Sequence, residues 1–181
     1  MYCEEKTQLK DAFWGEKVRL IREKALPYQW EALNDRIEGA DKSYCIHNFR
    51  TAARVNALRR QGVTLPEQPT DDFVSLPGEN ALLPEHKKGD NAFYGCVFQD
   101  SDLYKWIEAA AYSLMMKADD SLEHTIDEMV DLLEEAMLND GYLDTFYSIK
   151  NPKKRFSNLK DHHELYCFGH LAEAAVAYYE A

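Results

Sequence analysis

Nine residues near the carboxyl end, His162 to His170, hold three histidines, a glutamate and a cysteine: His162, His163, Glu164, Cys167 and His170. If this stretch is helical, His163, Cys167 and His170 fall at i, i+4 and i+7, on one face. All three side chains bind metals, and a fourth ligand from elsewhere would complete a tetrahedron. A plainer reading makes Cys167 a small core residue and His170 a hydrogen-bonded core histidine. That reading outweighs the metal one, because the usual zinc signatures are absent. His162 and His163 stand where the helix begins. A neutral imidazole there can donate to, or accept from, a ligand hydroxyl, and Glu164 suits the positive end of the helix dipole. Spacing alone favours simple capping for both.

Two further groups invite the same question. Asp100-Ser101-Asp102 opens another helical pattern, and capping explains it cheaply. In a helical barrel, however, the amino ends of inner helices open onto one mouth, where such residues line a pocket. The Asp140-Gly141-Tyr142 turn is placed near the same mouth, or else is a helix-ending turn with an anchoring tyrosine. No P-loop, GxGxxG or HExxH is present, no motif supports a Ser-His-Asp triad, and the acidic residues show no spacing that selects a catalytic pair.

The elements that must position these residues are helical. Glu16 to Ala25 reads as a short helix ended by Pro27, and Gln29 to Asn34 adds a turn. Ser43 is expected to cap a helix running to about Gln61. Gly62 to Gly95 holds four of the six prolines and four of the eight glycines, so one long loop is expected there. After a cap at Asp100 or Ser101, Leu103, Trp106, Ile107, Ala110, Ala111, Leu114 and Met115 form an amphipathic stripe. The next helix starts at Asp119, is wet on one face, and stops at Asn139-Asp140-Gly141. A loop to about Asp161 follows. The last helix starts near His163. Between Leu165 and Tyr179 only Glu173 is formally charged, so this helix is expected to be buried nearly all round. An amphipathic outer helix followed by an enclosed one is what a two-layer helical array or helical barrel requires. Ala181 falls in mid-pattern, without a stop signal. The expectation is therefore the front part, residues 1–181, of a larger domain, or a homo-oligomer in which a second subunit supplies the missing walls.

Composition narrows the partners. The 181-residue chain carries a formal net charge of −11, which disfavours nucleic acid and anionic membranes. No apolar run approaches the ~20 residues of a membrane span. The first residues lack a basic and an apolar region, and the four cysteines (Cys3, Cys45, Cys96, Cys167) form no close pair. Free thiols in a reducing cytoplasm are the expectation.

Longer blocks carry a family resemblance. "PYQWEALNDRI" (27–37), "NFRTAA" (48–53), "FYGCVFQDSDLYKWIEAAAYSL" (93–114) and the run from Asp140 to Ala181 resemble, in order, glycoside hydrolase family 127, whose type activity is β-L-arabinofuranosidase. The resemblance implies an all-α fold, here an incomplete (α/α)6 barrel interrupted by the 62–95 loop or insertion. It also implies a substrate bearing L-arabinofuranose. In that family the nucleophile is held to be a zinc-bound cysteine, with a glutamate and further cysteines completing the zinc site. Those motifs lie beyond position 181, so this chain is expected to contain no catalytic residue, to bind no zinc by itself and to be inactive alone. His163, the histidine of "HELY", matches a histidine that hydrogen-bonds the sugar hydroxyls. Asp100, Asp102, Tyr142 and Glu164 are expected to support the pocket, while Cys167 and His170 become core residues. The family glutamine that touches the sugar has no counterpart in "RIEGADKSYCIH". Two rival readings are a non-catalytic carbohydrate-binding or interaction module, and a metal-binding helical bundle on His163, Cys167 and His170.

Overall fold

A computed structural model describes residues 11–70 and 90–181 of the chain. Much of the expected 62–95 loop, residues 71–89, lies outside the described residues. Among the described residues every regular element is helical.

The first helical rod is longer than the prolines suggest. Helix α1 (Ala12–Leu20) runs through a π-helical turn (Ile21–Ala25) directly into α2 (Leu26–Leu33). Pro27 does not end the rod. In the wide turn the Leu26 N–H bonds to the Ile21 carbonyl, and Pro27 falls in the first turn of α2, where a missing N–H costs least. Arg22 ties this rod to the stretch from Ser113 to Asp119, where one long helix ends and another begins. It donates to the Ser113 and Lys117 carbonyls at 3.0 and 2.7 Å and pairs with Asp119 at 2.9 Å.

Helix α3 (Cys45–Arg60) starts one residue later than a Ser43 cap predicts. The preceding residue, Tyr44, is left-handed (φ 58°), and Asp35 holds that turn by accepting from the Ser43 and Tyr44 N–H groups at 2.6 and 3.0 Å. Ser43 still receives the Cys45 N–H at 3.3 Å.

Helix α4 (Asp100–Met116) shows the expected stripe, with Leu103, Trp106, Ile107, Ala110 and Ala111 buried. Helix α5 (Asp120–Ala136) is capped by Asp119, which accepts from the Leu122 N–H, and buries Ile126, Met129, Leu133 and Ala136. Its other face is wet, as expected. The stretch read as a loop contains α6 (Thr145–Lys150), capped by Asp144. Last comes α7 (Glu164–Glu180).

Helices α4 and α7 make the largest helix-to-helix contact. They are parallel: Phe98 meets His163 at one end, and Glu108 meets His170 and Glu173 further along. Helix α5 runs the other way, since the Tyr178 hydroxyl near the end of α7 reaches the Glu123 carbonyl in the first turn of α5 at 3.4 Å, as well as Asp127 at 2.5 Å. The expectation that α7 is enclosed is not met among the described residues. Cys167, Ala174 and Ala177 are buried, but Leu165, Phe168 and Val176 are exposed and Tyr179 is 92% exposed. Small residues let α7 sit close on α4, and the bulky apolar residues are left on its opposite side. No described helix is long and apolar enough to cross a membrane.

Candidate functional site

The amino ends of α4 and α7 lie side by side. Gly95 makes the approach to α4 possible. Its φ of 90° suits glycine, and a Cβ there would sit 2.9 Å from Gln99 Oε1. Gln99 closes this turn. Its Oε1 accepts from the Cys96 N–H, and its Nε2 donates to Asp102 at 2.8 Å. Asp102 is thus a half-buried strut of the turn, and desolvation raises its carboxyl, opposed by Lys105 and by the Gln99 bond.

Asp100 is not a cap of its own helix. Its buried carboxylate accepts from the Thr145 N–H at 2.7 Å and the Thr145 hydroxyl at 2.5 Å, clamping α4 to the start of α6. Asp144 lies beside it and caps α6 by accepting from the Tyr147 N–H at 3.0 Å. Both carboxyls are pushed upward, first by burial, and each also by a neighbouring carboxylate. Sequence reading missed Asp144 and Thr145, although an Asp ahead of Thr-Phe-Tyr is a cap signal.

Around α7 the histidines separate. His162 is buried, its Nδ1 lies 2.7 Å from the Tyr147 hydroxyl, and it packs on Phe146, so it belongs to the scaffold. His163 is the residue before the helix, left-handed at φ 57° and ψ 22°. Its half-buried ring meets Phe98 edge-on at 5.4 Å and Tyr166 at 5.9 Å. Among the described residues neither ring nitrogen has a hydrogen-bond partner.

Glu164 supports that position. It is buried, accepts from the Tyr142 hydroxyl at 2.5 Å, and receives the Phe156 N–H on both carboxylate oxygens at 3.0 Å. Phe156 is itself left-handed (φ 62°), so two strained residues, Phe156 and His163, bracket the connecting loop. Burial, and then the charges of Asp144 and Glu164, hold the Tyr142 hydroxyl protonated. Tyr142, Phe156, Glu164, Leu165 and Phe168 line a cavity of about 390 Å³, with Asp140 and Arg155 on its rim.

The metal trio does not assemble. Cys167 is fully buried against α4, and burial raises its thiol well above the usual range. His170 is half-buried instead of a core residue. Its Nδ1 lies 3.0 Å from Glu173, and Tyr166 packs on it edge-on. The ligand atoms that do converge among the described residues are those of Glu108, His170 and Glu173. Cys45, Cys96 and Cys167 are buried, and burial favours the protonated thiol at each.

The described residues form an all-helical scaffold of a kind shared with glycoside hydrolases of known structure. Residues 6–181 match the model of the β-L-arabinofuranosidase, GH127 catalytic domain. The chain therefore belongs to glycoside hydrolase family 127. It is 36% identical over 175 residues to the non-reducing end β-L-arabinofuranosidase of Bifidobacterium longum subsp. longum, covering 93% of this chain and 23% of that protein. Its fold is similar to a family 127 β-L-arabinofuranosidase of Geobacillus stearothermophilus T6 (TM-score 0.74, 46% identity, covering 96% of this chain and 22% of that one). A second solved structure, the family 127 β-arabinofuranosidase BT3674, gives a TM-score of 0.67 at 25% identity, over 96% of this chain and 23% of the other. The chain thus spans less than a quarter of the length of these relatives.

Proposed function

We propose that the chain supplies helices and part of the sugar pocket of a β-L-arabinofuranosidase-type glycoside hydrolase. One observation carries this reading. His163, the histidine of the "HELY" block, is fixed by the backbone at a helix start with both ring nitrogens unengaged by described residues. A neutral imidazole offers one donor and one acceptor, which suits two neighbouring hydroxyls of a furanose ring. The Phe98 ring beside it gives the sugar's C–H face an apolar surface.

The supporting roles follow from the bonds. Glu164 fixes the loop that delivers His163. Asp100, through Thr145, sets the start of α4, and Asp102 with Gln99 sets the turn that carries Phe98. Tyr142 braces Glu164. These residues position the contact and do not take part in bond cleavage. The helical arrangement is read as the first pairs of an (α/α)6 barrel, whose remaining helices cover α7. Zinc, when bound, would keep a cysteine nucleophile ionised, and the donors for it would come from outside this chain. The substrate class is a glycan or oligosaccharide ending in L-arabinofuranose. A cytoplasmic setting belongs to the same proposal and rests on the three buried, unpaired cysteines.

The 181 residues alone are expected to leave an aryl β-L-arabinofuranoside intact in the presence of zinc. Release of the aryl group by the purified chain, above the rate without protein, would contradict this division of labour.

A further inference from the structure

The carboxyl ends of α3, α5 and α6 border a second, open pocket of about 530 Å³. Arg59, Arg60, Lys153 and Arg155 line it, with Asp140 as the lining carboxylate. Such a concentration of cations stands out on a chain of net charge −11. Two of the four are already matched: Lys153 pairs with Glu67 at 2.7 Å, and Arg155 with Asp140 at 2.6 Å.

The other two are not. Arg59 donates to the Ser148 carbonyl, to Asn56 Oδ1 at 3.2 Å and to the Ile149 carbonyl at 3.3 Å. Arg60 donates from Nε to Asn139 Oδ1 at 3.1 Å and from one Nη to the Met137 carbonyl at 2.8 Å. Neither guanidinium has a carboxylate partner among the described residues, and the second Nη of Arg60 has no acceptor there. These bonds hold both guanidinium charges at the wall of one pocket and leave the second Nη of Arg60 to meet an anion.

Size and place restrict the ligand. A cavity of this volume is far larger than a free inorganic anion needs and falls in the range for a small organic ligand. Leu138 and Pro152 add apolar surface on which the C–H face of a sugar ring can rest. Asp140 and Arg155 also line the 390 Å³ cavity under Tyr142 and Glu164, so the two cavities share a wall.

We propose that this pocket is an acidic-sugar subsite, in which Arg60, with the charge of Arg59 on the same wall, receives the carboxylate of a uronic acid. The sugar identity rests on the glycan reading above, while the anion preference rests on the guanidiniums alone. The test is calorimetric titration of the 181-residue chain, and of its Arg60→Gln variant, at low salt. Glucuronate is expected to bind at least about tenfold more tightly than glucose, the value of one charge-assisted contact. Arg60→Gln is expected to remove most of that advantage, and raising the salt to weaken it. Methyl β-L-arabinofuranoside binding is expected to be unchanged by the substitution. Glucuronate binding no tighter than glucose overturns the proposal, as does a preference that survives in Arg60→Gln. Inorganic phosphate binding more tightly than glucuronate overturns the sugar assignment. If Arg60→Gln fails to fold, the glucuronate-to-glucose ratio of the unsubstituted chain decides. Glucuronate binding without arabinofuranoside binding supports the anion site and contradicts the glycan reading.

Discussion

At the scale of single residues, the carboxylates near the helix starts do different work from what their positions in sequence suggest. Asp100 follows the cap rule on paper, yet its partners come from Thr145, 45 positions away. Only the packing of α6 on α4 reveals that, so no local pattern could have shown it. Its burial has a pH consequence. Asp100 and Asp144 have carboxyls raised in the folded chain, so folding binds protons there. Their contribution is fully present below the unfolded carboxyl value of ~3.9 and is lost as pH rises through the higher folded value. Urea unfolding between pH 4 and pH 7 is therefore expected to show a smaller decline in Asp100→Asn than in the unsubstituted chain. Equal slopes would contradict the burial account. Glu164 gives a larger effect. Replacement by Ala leaves the Tyr142 hydroxyl and the Phe156 N–H without their acceptor, at an expected cost of about 2–4 kcal/mol in urea unfolding. The ligand role proposed for His163 came only from the "HELY" block, since spacing alone favoured capping. Its left-handed backbone and unengaged ring are tertiary facts.

At the scale of elements, long periodic helices were readable and short or interrupted ones were not. The α4 stripe and the Asp119 cap of α5 follow directly from side-chain period and cap chemistry. Helix α6 is six residues long, too short to show a period, and hides in an aromatic run. The rod from Ala12 to Leu33 was divided at Pro27 because the π turn that accommodates a proline leaves no pattern in sequence. Arg22 is what attaches that rod to the α4–α5 turn. Arg22→Ala is expected to lower stability by about 1–3 kcal/mol, because carbonyls at the end of α4 and the Asp119 carboxylate lose their donor. Hydrogen exchange should then rise in α1 and α2 before it rises in α4. A uniform rise across all helices would instead show that the rod and α4 unfold as one unit.

For the whole molecule, the all-helical class and the order of the long helices were legible, while the count was not, because α6 was read as loop and the first rod as two pieces. Enclosure of α7 was not legible either, because burial depends on neighbours that composition does not name. The described residues put α7 on α4 along one narrow face of small residues and leave a bulky apolar face outward. That asymmetry fits the proposed role of this chain as part of a sugar-pocket wall. The central claim is that this wall reads the sugar through His163. Titration of the chain with methyl β-L-arabinofuranoside, followed by the imidazole proton resonances, tests it most directly. The account predicts that the His163 resonances shift saturably while those of buried His162 do not. It also predicts that His163→Ala weakens binding by at least about tenfold, the loss of a net hydrogen bond or two. Unchanged affinity in His163→Ala, or no shift of the His163 resonances at saturation, would contradict it.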